Sequence, residues 1–140
     1  MEKNSEQKNF PFCYIIYLLS AVVVVHFTAN TLGVYEAQIQ NGFVWIDNLL
    51  HAATGAAFGL LFLWLLNKNN LEYSASARII LTLVFVFCLA IIWELIELGF
   101  FKFFTSYAHS LKIYSPSILE ACSDIISNMV GVVILLLFKR

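Results

Sequence analysis

Charge is scarce in this sequence. Asp, Glu, Lys and Arg make up 12% of its 140 residues, and eight basic against nine acidic side chains leave a net charge of -1. With no basic stripe and no run of like charge to track phosphates, nucleic acid is excluded as an expected partner. Cysteine is equally sparse. Cys13, Cys88 and Cys122 are too few and too scattered for a disulfide framework or a CxxC metal knuckle, so they read as buried small apolar residues without chemistry. No polar stretch is long enough to form a separate domain, and residues 1–140 are expected to be one membrane domain. The opening MEKNSEQKNF is polar and mixed in charge. The apolar stretch behind it outlasts a signal-peptide core of ~7–15 residues and lacks a clear A-x-A cleavage site, so it is expected to remain as the first span.

What fills the sequence is apolar. Hydrophobic residues account for 61% of it, thirteen of them Phe, against roughly 45–50% in soluble domains. Four apolar runs approach the ~20 residues that cross ~30 Å of hydrocarbon. They are expected at about 12–32, 43–66, 79–104 and 119–138. All four should be helices, because lipid satisfies no backbone polar group. The predicted class is therefore all-α, a polytopic transmembrane four-helix bundle whose principal partner is the lipid bilayer. The connections are a short loop (33–42), a polar turn (67–78) and a loop from Thr105 to Ser117. Lys3, Lys8, Lys68, Arg78, Lys139 and Arg140 fall on one side and only Lys102 and Lys112 on the other, which predicts both termini in the cytoplasm. Trp45 and Tyr35 toward the outer boundary, and Trp64 and Tyr73 toward the inner one, read as aromatic belt residues.

The rare polar residues inside the spans converge. On a helical rise of ~1.5 Å per residue, His26, Asp47, His51, Glu94, Glu97, Asp124 and Asn128 all lie about 6–15 Å below the outer boundary. Asp47, His51 and Gly55 step by four, Glu94 and Glu97 by three, and Glu120, Asp124 and Asn128 by four, so each set shares a helical face. Two carboxylates at a helix centre cost at most about 5–7 kcal/mol on the insertion scale, which the surrounding Leu, Ile, Val and Phe can offset. Such faces should turn toward one another and away from lipid. Small residues from Ala52 to Gly59, including the Gly55-x-x-x-Gly59 pair, allow a second helix to approach closely.

Carboxylate oxygen and imidazole nitrogen at one depth suit a divalent cation, or a proton shared among acids. His51, Glu94 and Asp124 are the candidate ligands or acid/base groups, Glu97 a second carboxylate, and Asp47 the orienter of His51 and a further candidate metal ligand. Each residue also has a plainer reading. Ser117 and Glu120 fit a helix-capping box, Asp47 complements a helix dipole, His26 is a packing histidine, and Asn128 bridges helices. His109 and Lys112 are expected in solvent, with Tyr107 and Tyr114 near the pocket mouth. The inner half of the last three spans holds no ionisable group, so no polar path crosses the membrane and permeation is not expected.

The groups Asp47-x-x-x-His51-x-x-x-Gly55, Trp93-Glu94-x-x-Glu97 and Asp124-x-x-x-Asn128-x-x-Gly131 resemble the motifs of the YjdF-like bacterial inner-membrane proteins, which are similar in pattern to VanZ-like proteins. The resemblance covers about residues 43–135, with Leu98 where the family pattern has an aromatic residue and Glu120 where it has Asp. It implies the architecture, a place in the bacterial inner membrane, and the importance of Asp47, His51, Glu94, Glu97 and Asp124. The likeness to VanZ-like proteins implies a place in the cell envelope. Together these features predict an acidic, histidine-containing pocket in the outer half, binding a divalent metal or sharing a proton and acting on a lipid-linked or cell-envelope substrate. The alternative from another class is a non-catalytic protein whose polar cluster only locks the helices together and whose surface serves a membrane partner.

Overall fold

The computed structural model describes residues 12–35, 45–110 and 117–139. It contains α1 (Phe12–Thr31), α2 (Trp45–Lys68), α3 (Ala75–Phe103), a short α4 (Thr105–Ser110) and α5 (Ile118–Phe138). Helices α1, α2, α3 and α5 are each long and apolar enough to cross a membrane, and no strand occurs among the described residues. The expected four-helix membrane bundle is what the chain forms.

The helix ends follow local chemistry. Helix α3 begins at Ala75, ahead of the expected start at Ile79, because the Ser74 hydroxyl accepts the Ala77 backbone N–H and caps the first turn. At α5 the capping box read from the sequence is complete: Ser117 Oγ accepts the Glu120 N–H at 3.2 Å, and Glu120 Oε2 accepts the Ser117 N–H at 2.8 Å. The link between α2 and α3 turns at Asn70, in the left-handed region at φ 51°, a conformation that Asn tolerates better than most residues. The segment expected as a loop from Thr105 is corrected in part, since 105–110 form α4, whose Tyr107 ring stands edge-to-face with Phe100 at 6.5 Å. The three cysteines, expected to be buried, are exposed.

Helices α2 and α5 make the most extensive contact of the fold, α3 packs on both, and α1 packs on α2 alone. Small residues explain the first of these. A Cβ added at Gly55 would run into the Asn128 backbone carbonyl, and one added at Gly131 into the backbone of Ala52. At Gly59 it would meet Val132 Cγ2 at 2.8 Å and Leu135 Cδ2 at 2.9 Å. The two helices therefore touch backbone to backbone where 52–55 meets 128–131, which in lipid replaces the hydrophobic drive a soluble bundle would use. Stacked rings hold the others: Phe62 on Phe85 at 4.6 Å joins α2 to α3, and Phe12 on Trp64 at 4.6 Å joins α1 to α2. Lys68 sits over the same Trp64 ring at 4.7 Å.

Gly55→Val and Gly131→Val should each weaken the bundle by about 1–3 kcal/mol or more, since the obstacle is backbone and cannot rotate away. Gly99→Ala, which meets nothing within 4 Å, should leave stability unchanged. Thermal unfolding in detergent checks all three.

Candidate functional site

Asp47, placed in the first turn of α2, and His51, one turn deeper, present their side chains to Asp124 of α5. His51 Nε2 lies 3.8 Å from Asp47 Oδ1 and 3.8 Å from Asp124 Oδ2. One ligand atom from each of the three residues falls within 4.8 Å of the other two, with His51 and Asp124 buried. Among the described residues they form a group of the kind that could hold a metal ion.

The other ring nitrogen of His51 is engaged by Asn128, whose Nδ2 lies 3.1 Å from Nδ1. The same Nδ2 donates to the Asp124 backbone carbonyl at 2.9 Å. With its amide nitrogen so fixed, Asn128 donates to Nδ1, and neutral His51 then carries its proton on Nε2, facing the two carboxylates. Beside this network, Asn48 Oδ1 accepts the hydroxyls of Ser123 at 2.8 Å and Ser127 at 3.2 Å, a second polar bridge between α2 and α5.

Helix α1 contributes His26, whose Nδ1 is 3.6 Å from Asp47 Oδ1. Tyr35 joins it: the phenol oxygen is 3.0 Å from His26 Nδ1, and the side chain is buried. The belt role expected of Tyr35 is thus corrected, because the residue folds inward onto the cluster. Its recognition from sequence would have required knowing how the chain turns after α1, which helical spacing does not supply. Trp45, the other expected outer belt residue, is exposed.

Glu94 and Glu97 of α3 are brought near the cluster without belonging to its closest group. Asp124 lies within electrostatic reach of Asp47, Glu94 and Glu97. Glu94 is 4% exposed, and its Oε1, like Asp47 Oδ1, is buried with no hydrogen-bond partner. Glu97 is partly exposed, accepts a hydrogen bond from Trp93, and feels Asp47 and His26. The Asn128 bridge and the Glu120 cap are present as their plainer readings describe. Lys112 and Tyr114 lie outside the described residues, as does the side chain of His109.

A family of predicted membrane proteins, DUF2238, matches residues 4–140. The chain belongs to this family. Its description agrees with the four spans, and the YjdF-like resemblance of the motifs is consistent with it, whereas the likeness to VanZ-like proteins finds no support. Comparison with curated proteins and with solved structures finds no match.

Burial, and next to it the Asp47 carboxylate, hold the Tyr35 phenol well above the usual tyrosine range. Both act against the phenolate, so Tyr35 stays protonated as pH rises through the range where free tyrosine ionises. Asp47→Asn should bring its ionisation down toward ordinary values. A spectrophotometric tyrosine titration, with Tyr35→Phe identifying the delayed group, measures this; an unchanged titration in Asp47→Asn would contradict the assigned coupling.

Proposed function

We propose that the chain is a bacterial inner-membrane protein, both termini cytoplasmic, whose cluster of Asp47, His51 and Asp124 binds a divalent cation and acts on a lipid-linked or envelope substrate arriving from the outer side. Glu94 completes the donor set, Glu97 is a second carboxylate, and protons are exchanged among the acids when the cation is absent. The observation that carries this reading is the spacing of the three donors together with the buried, unpartnered Asp47 Oδ1. Gaps of 3.8 Å are too long for hydrogen bonds. They are close to the span of two ~2 Å metal–ligand bonds meeting at one ion. Mixed carboxylate and imidazole donors suit zinc, manganese or a similar borderline ion. Ligation through His51 Nε2 requires the Asn128 amide to turn, so that its oxygen accepts a hydrogen bond from Nδ1–H, the orientation that a partner behind a ligating histidine commonly enforces.

Protein purified without chelator should carry about one equivalent of divalent metal per chain by elemental analysis, and His51→Ala or Asp124→Asn should lose it. Returning the metal to chelated protein at ~100 times its dissociation constant should raise stability by about 2.7 kcal/mol. Metal-free protein with no thermal response to added divalent ions would end this reading.

One observation favours the second reading, a purely structural lock: as it stands, the Asn128 amide donates to both its partners, which leaves an N–H and not a lone pair facing the carboxylates. On that reading Asn128→Leu lowers stability by about 1–2 kcal/mol, while the cell phenotype and metal content of His51→Ala match those of the native chain. Thermal unfolding paired with elemental analysis separates the two.

A further inference from the structure

The end of the bundle away from the cluster carries the opposite charge. Of the acids among the described residues only Glu72 lies there, in the exposed link between α2 and α3, against the cations Lys68, Arg78 and Lys139. Two of these cations belong to one junction. A Cβ at Gly59 of α2 would meet both Leu135 Cδ2 of α5, at 2.9 Å, and Thr82 Cγ2 of α3, at 3.7 Å, so the three helices converge there. Helix α3 runs opposite to the other two. One turn farther from the cluster therefore stand Arg78, whose backbone carbonyl accepts the Thr82 hydroxyl, and Lys139, whose backbone N–H donates to the Leu135 carbonyl. Lys139 is within electrostatic reach of Arg78. Lys68 is turned elsewhere, over the ring of Trp64, which stacks on Phe12 of α1.

The Arg78 guanidinium is held in place. Its Nη2 donates to Asn67 Oδ1 of α2 at 2.6 Å, which fixes the fork while using one of its five N–H donors. Among the described residues neither Arg78 nor Lys139 has a carboxylate within ion-pair distance. Behind them the junction is filled, with Thr82, Leu63 and Leu66 buried. A ligand can thus lie against the two cations but cannot pass into the bundle.

Height decides what meets them. At ~1.5 Å per residue Arg78 lies about 4 Å inside the start of α3, and Lys139 directly follows the last residue of α5. In a chain whose helices cross the bilayer this is the level of the lipid phosphates. A partly buried cation at that level needs an anion. Ile80 and Leu81 of α3 and Leu137 and Phe138 of α5, all within one turn of the two cations, are exposed and apolar. A choline or ethanolamine headgroup would bring a third cation to two that already face each other. A phosphodiester without an amine neutralises them, its oxygens matching the guanidinium fork while the ammonium acts as a point charge.

We propose that Arg78 and Lys139 form a seat for the phosphodiester of an anionic phospholipid, bonded by the Arg78 fork and neutralised by Lys139, with the acyl chains along α3 and α5. The seat uses no residue of the Asp47, His51 and Asp124 cluster and does not depend on what that cluster binds.

The test uses the full chain in phosphatidylcholine vesicles containing a minor amount of phosphatidylglycerol, with the lipid retained through detergent extraction quantified by mass spectrometry. A charge-assisted hydrogen bond corresponds to roughly tenfold enrichment of phosphatidylglycerol over phosphatidylcholine. Lys139→Gln should lower that enrichment about fivefold. Arg78→Lys, which keeps the charge and loses the fork, should lower it as well. Lys68→Gln removes an equal charge from the same end on the α1 side and should leave the enrichment unchanged. An equal loss in Lys68→Gln and Lys139→Gln would mean that the surface potential alone draws the lipid, and it overturns the seat. So does equal retention of the two lipids by folded native protein. Thermal stabilisation in detergent by inorganic phosphate, matching that by dihexanoyl phosphatidylglycerol, would overturn the assignment to a lipid. Should Arg78→Lys fail to fold, the exposed Lys139, beyond the last helix, still decides the outcome against Lys68.

Discussion

Everything in this fold is referred to the seam where α2 and α5 touch backbone to backbone. In a bilayer the apolar side chains gain nothing by leaving lipid for protein, so close approach and interhelical hydrogen bonds must hold the helices. Gly55 against Asn128 and Gly131 against Ala52 provide that approach reciprocally, each helix offering its glycine to the other's backbone. A reciprocal contact of this kind fixes sliding as well as distance. Slipping α2 by a turn so that His51 took the place of Gly55 would put a side chain where only a hydrogen fits.

The same seam sets the polar cluster. His51 is one turn above Gly55 on α2, and Asp124 and Asn128 precede Gly131 on α5, so locking the glycines also fixes the heights of the ionisable groups. Hydrogen bonds from Ser123 and Ser127 to Asn48 Oδ1 hold the rotation about the helix axes. Helix α3 then brings Glu94 near the cluster, and α1, held by α2 only, brings His26, which meets Tyr35 there. Stability and the candidate site are therefore not separable along α2 and α5, but they are separable on α1.

Legibility in the sequence follows from that division. Four spans, the capping box at Ser117 and the common depth of His51, Asp47 and Asp124 could all be read, because hydropathy and helical rise are one-dimensional quantities that survive in a string of residues. Azimuth and loop path do not survive in that way. Hence Tyr35 read as a belt residue when it is buried against His26, and the run from Thr105 read as loop where α4 forms. Asn48 carries no signal in the string, since its role depends on facing two serines of a helix some 75 residues away. The glycines of α2 and α5 were visible as small residues, but their pairing was not.

The Asn128 amide is where the two leading readings of the cluster part. As it stands, its nitrogen is held by the Asp124 carbonyl and by His51 Nδ1 together, so the histidine offers a proton to Asp47 and Asp124. Turning the amide breaks the bond to the backbone carbonyl, at about 0.5–1.5 kcal/mol, and presents an acceptor to Nδ1 instead. Nε2 then becomes a lone pair among carboxylates, an arrangement with no favourable contact until a cation fills it. The cost of the turn is small beside the free energy of a coordinated divalent ion. One side chain on the α5 seam thus couples the state of the cluster to a local hydrogen bond of the bundle, and a cation would be sensed first by α5.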